Sequence, residues 1–178
     1  MYKILELSIH ESPIKELLNL CLEELFAISW LKIRRKGGIF LTGGSPYLKK
    51  IVHKGLEEYP SIIEIADTTT SIGLAAYFQE VIFVDKNPDG TVAEEQHFIV
   101  PIVWADDLLG ILVLYITHKQ VTKDIKIELL KSVAATLGGV LKRKQAEEGL
   151  KTYSKKLELY NEEVLKSNEF AEKQNKKI

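Results

Sequence analysis

The chain has 178 residues, 46% of them hydrophobic and 28% charged, and its 24 basic residues against 25 acidic ones leave a formal net charge of −1 at pH 7. That composition suits one globular domain with an extension, and a charge so near zero sets up no field that would draw nucleic acid or an anionic membrane surface. The single cysteine, Cys21, excludes an internal disulfide and any site built on several thiolates, which fits a reducing cytoplasm.

In chain order, Ser12-Pro13 reads as a helix start, with serine at the N-cap and proline at the first helical position. Ile14, Leu17, Leu18, Cys21, Leu22, Leu25 and Phe26 follow at the spacing of one helix face, about four turns long. Trp30 to Ile33 and Gly38 to Leu41 read as strands. A Thr42-Gly-Gly-Ser-Pro46 turn then leads into a strand from Leu48 to His53, so an antiparallel meander is expected. Between Gly55 and Gln96 the pattern weakens to a short helix at Ile72 to Gln79, a strand at Val81 to Val84 and a turn at Asn87 to Gly90. Such a loop-rich stretch on a rigid frame is where binding residues concentrate. Phe98 to Trp104 and Leu108 to Tyr115 are apolar runs joined by Ala105-Asp-Asp107, a tight β-hairpin. The longest uncharged apolar run, Leu108 to Thr117, is about half of the roughly 20 residues a helix needs to cross a bilayer. No signal peptide opens the chain, so a soluble protein is expected.

From about Asp124 the chain reads as helix almost to its end. Ile127, Leu130, Val133, Ala134, Leu137, Val140 and Leu141 form the broad stripe of a helix docked on its own domain. Leu150, Tyr153, Leu157, Tyr160, Val164, Ser167 and Ala171 then recur at alternating spacings of three and four, the narrow seam of a coiled coil. Carrying the first stripe onward would put Lys144, Glu148 and Lys151 in a core, so the seam shifts between Lys142 and Gly149.

Taken together, these segments resemble the GAF domain, the small ligand-sensing module of bacterial signalling proteins and phosphodiesterases. The resemblance runs from about Ile14 to Gln145. It rests on the helix Leu17 to Phe26, the strand Gly38 to Leu41, the strand ending His53-Lys-Gly-Leu56, Val100-Pro-Ile102, Leu109 to Leu114, and the helix Leu129 to Arg143. It implies an α+β fold, with a GAF/PAS-like central antiparallel sheet, helices on both faces and a long C-terminal helix. The sensor domain would occupy residues 1–145 and a coiled-coil signalling linker residues 146–178. It also implies a homodimer through the first and last helices, and an output domain (kinase, PAS or cyclase, as in two-component systems) beyond the linker. A pocket for a small molecule would lie between the sheet and residues 55–98. The chain departs from the cyclic-nucleotide and bilin-binding patterns and has Ala66-Asp-Thr-Thr-Thr-Ser-Ile72 where some relatives carry cysteines, so the ligand and any cofactor stay unknown.

The residues expected to contact a ligand are Thr69, Thr70, Gly73, Tyr77, Phe83, His97 and Phe98. Thr68 to Ser71 offer hydroxyls and backbone N–H groups at a helix start, although capping explains them as well. Tyr77, Phe83 and Phe98 are aromatic wall candidates that also suit an ordinary core. His97 precedes a buried strand and faces the pocket mouth if the resemblance holds, as a ligand contact, a haem ligand or a solvated strand end. His10, His53, His97 and His118 show no metal-ligand spacing. No nucleophile elbow or metalloprotease motif is present. A methionine-sulfoxide-reducing enzyme shares the fold but needs active-site cysteines that Cys21 cannot replace, so the chain is expected not to be an enzyme. A scaffold that dimerises its neighbours and binds nothing small is the alternative.

Overall fold

The computed structural model describes residues 14–86, 91–117 and 123–175. The Ser12-Pro13 helix start, the Asn87–Gly90 turn, His10 and His118 lie outside them. The chain divides into two compact units, residues 1–141 and 142–178.

In the first unit, helix α1 (Ile14–Ala27) buries Leu17, Leu18, Cys21, Leu22 and Leu25, the face its spacing predicts. Six strands follow: β1 (Ile33–Leu41), β2 (Tyr47–Lys54), β3 (Ile62–Glu64), then, after helix α2 (Ser71–Phe78), β4 (Ile82–Lys86), β5 (Val92–Trp104) and β6 (Asp107–Ile116). They form one antiparallel sheet in the order β3-β2-β1-β6-β5-β4. Helix α3 runs from Lys123 to Asn175.

The pleat sorts side chains between two cores. Ile39, Phe98, Val100, Ile102, Leu112 and Leu114 pack with α1 and with Leu130, Val133, Ala134, Leu137, Val140 and Leu141 of α3. On the other face Phe40, Ile99, Ile111, Val113 and Tyr115 pack with Ile72, Ala75 and Ala76 of α2. Strand β6 lies near the middle of the sheet and is buried on both faces from Leu109 to Ile116, which is why its sequence is a continuous apolar run rather than an alternating one. This is the α+β arrangement with helices on both faces that the resemblance implied.

Local chemistry explains where the elements differ from expectation. Trp30-Leu31 is not strand but part of a 3₁₀ turn, Ser29–Leu31, closed by Leu31 N–H donating to the Ile28 carbonyl and Lys32 N–H to that of Ser29. Lys32 takes a left-handed φ of 53° and turns the chain into β1, which is a single strand through Gly37-Gly38. Leu31 is fully buried under the turn. Its carbonyl accepts a hydrogen bond from the buried ammonium of Lys126, whose pKa is pushed down by desolvation and by neighbouring Lys32. The hairpin turn is two residues, not three: Trp104 pairs with Asp107, Ala105 takes a φ of 51°, and a bulge at Ile102/Val103 resets the register.

A glycine pair seats this hairpin on α3. A Cβ on Gly138 would stand 2.6 Å from the Val103 carbonyl oxygen, and one on Gly139 2.9 Å from the Trp104 ring. Trp104, expected at an exposed hairpin end, is half covered by that contact.

In the second unit, Leu150, Tyr153, Leu157, Tyr160 and Val164 are all exposed on α3. The helix runs through Gly149 without interruption. Lys144, assigned to solvent by the charge argument, is only 8% exposed and pairs with Glu147 at 3.4 Å. A long lysine stem can cover apolar surface while its ammonium keeps a partner, so charge alone did not forbid that position.

Candidate functional site

The face of the sheet that carries α2 holds a cavity of about 360 Å³, within the usual size range of small-molecule sites. Its apolar lining is Ile63 of β3, Ile72 of α2 and Ile99 of β5, all buried, and the exposed Ile62 of β3, with Tyr59 and Pro60 from the β2–β3 connection. Polar groups come from His97, Glu64, Asp67, Thr70 and Ser71.

His97 sits where a row of residues crosses the sheet. It pairs with Tyr115 across β5 and β6, and the two rings stack with centroids 4.5 Å apart and planes 23° apart. On β1 the Lys36 ammonium lies 4.6 Å from the Tyr115 ring centroid, a cation–π contact, and also bonds the Glu95 carboxylate. Arg34 reaches the same carboxylate at 3.0 Å. The Lys36 hydrogen bond is the main cause holding the Glu95 pKa below its ordinary value.

His97 Nδ1 lies 3.2 Å from the Glu95 carbonyl. A carbonyl only accepts, so Nδ1 carries the proton and donates it, and Nε2 is left as a lone-pair acceptor. Burial lowers the His97 pKa, while the Glu95 carbonyl and carboxylate oppose that shift. The ring is therefore neutral near pH 7. Tyr115 completes the group: its hydroxyl lies 2.8 Å from that of Tyr59, and burial followed by that hydrogen bond pushes its pKa up. Tyr59 is held in turn by Lys50, whose ammonium donates to the carbonyls of Leu56 and Tyr59 at 2.8 Å each.

The opposite wall is the start of α2. Thr70 is its N-cap, with Oγ1 accepting from Gly73 N–H at 3.0 Å. Asp67 organises the preceding turn by accepting from Thr69 N–H at 3.1 Å and from the Thr69 hydroxyl. Gly73 is required here because a Cβ would stand 1.8 Å from the Asp67 carbonyl oxygen.

Of the seven residues anticipated, the structure brings His97 and Thr70 to the cavity. Thr69 and Gly73 shape the turn beside it without lining it. Phe83 and Phe98 are a correction: they pack against each other, centroids 4.7 Å apart, in the core with α1 and α3. Strand alternation sends Phe98 to the face opposite His97 and Ile99, and Phe83, its cross-strand partner, goes with it. Tyr77 is also no wall; it is 62% exposed and meets Phe78 edge-on. Tyr59, Glu64, Asp67 and Tyr115 were missed. Tyr115 had a usable signal, because pairing the hairpin places it opposite His97.

Among the described residues, no three His, Cys, Asp or Glu side chains gather as a metal site, and no helix is long and apolar enough to cross a membrane. Cys21 lies in the core with α1, and burial pushes its thiol up to about 12.

No family model matches the chain, and no curated protein does. Solved structures do. The GAF domain of a phosphoenolpyruvate-protein phosphotransferase from Coxiella burnetii matches with a TM-score of 0.65 at 15% identity, over 83% of this chain and 94% of that one. The free methionine-R-sulfoxide reductase from Neisseria meningitidis, solved with its substrate, gives 0.62 at 16% identity, over 80% and 87%. The GAF-B domain of DevS from Mycobacterium smegmatis gives 0.58 at 14%, over 78% and 99%. The chain has a GAF-like fold. GAF domains and a reductase share that fold, so function turns on the residues of the site.

Proposed function

We infer that this chain is the regulatory sensor domain of a signal-transduction protein, taking a small molecule in the cavity beside His97 and passing its state through α3 to an output domain. The supporting observation is that strand β5 serves both ends of the path. His97 and Ile99 line the cavity, and a few residues on the same strand rests on Gly138 and Gly139 of α3 through Val103 and Trp104. A ligand that prefers one seating of the strand would shift the population toward it, by no more than its difference in affinity for the two. The cytoplasm and a paired, two-component-like arrangement belong to the same proposal.

The non-enzymatic reading is supported by the placing of Cys21 in the opposite core with a raised pKa, which leaves no thiolate to attack a sulfoxide. A thermal-shift screen of metabolites tests the sensor reading, since a ligand at about 100 times its Kd stabilises by roughly 2.7 kcal/mol. The same compound must lose its effect in His97→Phe. Turnover of methionine sulfoxide by the purified chain would sink it.

The exposed Leu150, Tyr153, Leu157, Tyr160 and Val164 favour self-association through α3, and they support the scaffold alternative equally well. Analytical ultracentrifugation of the wild type and Leu157→Lys tests it; a wild type that stays monomeric at high concentration removes the dimer from both readings.

A further inference from the structure

The cavity wall carries one buried acceptor that the fold leaves unused. His97 is only 9% exposed, its Nδ1 donates to the Glu95 carbonyl, and its Nε2 has no partner among the described residues. No buried side-chain nitrogen or oxygen among those residues is sealed in without a partner, so the Nε2 lone pair opens on the space that His97 lines.

Tyr59 adds a donor beside it. Its hydroxyl pairs with that of Tyr115 at 2.8 Å, a geometry in which either could donate. Tyr59 lines the cavity, whereas Tyr115 does not and is 5% exposed. Were Tyr59 the donor, the Tyr115 proton would be buried without an acceptor, a costly arrangement. Tyr115 therefore donates, in keeping with the upward push that this hydrogen bond gives its pKa, and the Tyr59 proton is left for whatever enters the cavity.

Three other polar residues of the lining are committed or turned away. Thr70 Oγ1 accepts from Gly73 N–H and donates to the Asp67 carbonyl. The Asp67 carboxylate is held by Thr69, and Glu64, the strand neighbour of buried Ile63, lies on the exposed face of β3. No lysine or arginine lines the space among the described residues. An ion entering it would lose hydration without an opposite charge to replace it, and an anion would also meet the His97 lone pair.

We propose that the cavity selects an uncharged cyclic amide, with its ring N–H donated to His97 Nε2, its carbonyl accepting from the Tyr59 hydroxyl and its apolar body against Ile63, Ile72 and Ile99. A cyclic amide holds N–H and C=O on one edge, which suits an acceptor and a donor that open on the same space. The volume of about 360 Å³, near the lower end of the range for small-molecule sites, limits the body to one or two rings. This rests on the sensor reading above and adds the ligand's class.

Four probes of similar size test it, titrated into the full chain by calorimetry and by thermal shift: oxindole, N-methyloxindole, benzoate and benzylammonium. Oxindole is expected to bind about fivefold more tightly than N-methyloxindole, which lacks the N–H, a difference within the net worth of one hydrogen bond, and more tightly than either ion. His97→Phe, which keeps a ring against Tyr115, should erase the preference for oxindole over its N-methyl derivative. Tyr59→Phe should weaken both oxindoles alike, because both carry the carbonyl. Melts of the free variants establish that each is folded. Equal binding of the two oxindoles by the wild type, a preference that survives in His97→Phe, unchanged binding by Tyr59→Phe or tighter binding of an ion overturns the amide assignment and leaves a ligand site standing. Silence from all four probes overturns the assignment as well; if a broad metabolite screen is also silent, the sensor reading falls with it.

Discussion

Gly138→Ala is the sharpest test of the seat between hairpin and helix. In an unobstructed helix interior, alanine is favoured over glycine by about 0.8–1.0 kcal/mol, so a helix lying free would gain. Here the new methyl would stand 2.6 Å from the Val103 carbonyl oxygen and 3.3 Å from its carbonyl carbon. Carbon–oxygen contacts normally settle at about 3.3–3.6 Å, so backbone must move by roughly 0.7 Å or more. Overpacking of this kind costs about 1–3 kcal/mol, and a backbone obstacle belongs in the upper part of that range. The net expectation is a loss of about 1–2 kcal/mol, a fall in melting temperature of roughly 2–8 °C for a chain of this size. Gly149→Ala is the control, because nothing lies within 4 Å of its added methyl. It keeps only the helical gain, and amide exchange around it should slow by up to about fivefold. Circular-dichroism melts and hydrogen exchange read the two variants. A Gly138→Ala protein that melts at or above the wild type would mean that the hairpin does not rest on the helix, and the transmission route would lose its first step.

The remaining predictions concern the residues around the cavity and the buried thiol. Burial holds the His97 pKa below its ordinary value of 6.5 in the folded state, so the unfolded chain takes up the proton first. Stability should hold above about pH 6.5 and fall on acidification from there until the folded-state value is passed; His97→Phe should flatten that step in urea titrations, and an unchanged profile would refute a buried neutral ring. The Glu95 carboxylate, held below its ordinary value of 4.5 chiefly by the Lys36 hydrogen bond, contributes stability that is present above that value and lost as pH falls below it. Tyr59→Phe and Tyr115→Phe should show a coupling of about 0.5–1.5 kcal/mol in a double-mutant cycle, the net worth of one hydrogen bond, and additive effects would mean that the 2.8 Å hydroxyl pair does not persist in solution. Cys21, 1% exposed with its thiol raised to about 12, should react with a disulfide reagent only as the domain opens; rapid stoichiometric labelling of the native protein would contradict its placement.

The frame was legible because burial repeats. The spacing from Leu17 to Leu25, the paired runs of β5 and β6, and the stripe from Leu130 to Leu141 each signal which face turns inward, and the structure buries those faces. The site was less legible because a strand's period is two: once Ile99 faces the cavity, Phe98 cannot, however well an aromatic ring would suit a pocket wall. Tyr59 and Asp67 lie in irregular chain, placed by the Lys50 clamp and the Thr70 cap, tertiary contacts that leave no periodic trace. The turn at Ala105 is one residue shorter than the sequence suggests, and the bulge that compensates is equally invisible to periodicity.

That same alternation decides how a ligand signal would have to travel under the proposed sensor function. Odd-numbered His97 and Ile99 of β5 face the cavity, while Phe98, Val100 and Ile102 between them lie in the core under α1 and α3. The strand cannot shift under His97 without displacing side chains that the helices rest on. Close-packed interiors answer such a shift by repacking between discrete arrangements rather than by yielding smoothly. To drive such a pair from 1:99 to 99:1 a ligand needs about 10⁴-fold preference for one arrangement, near 5.5 kcal/mol. One hydrogen bond to His97 and apolar contact with the isoleucines of the wall would each supply only part of that. A compound binding through one of them alone should therefore occupy the cavity and move the helix less than one engaging both.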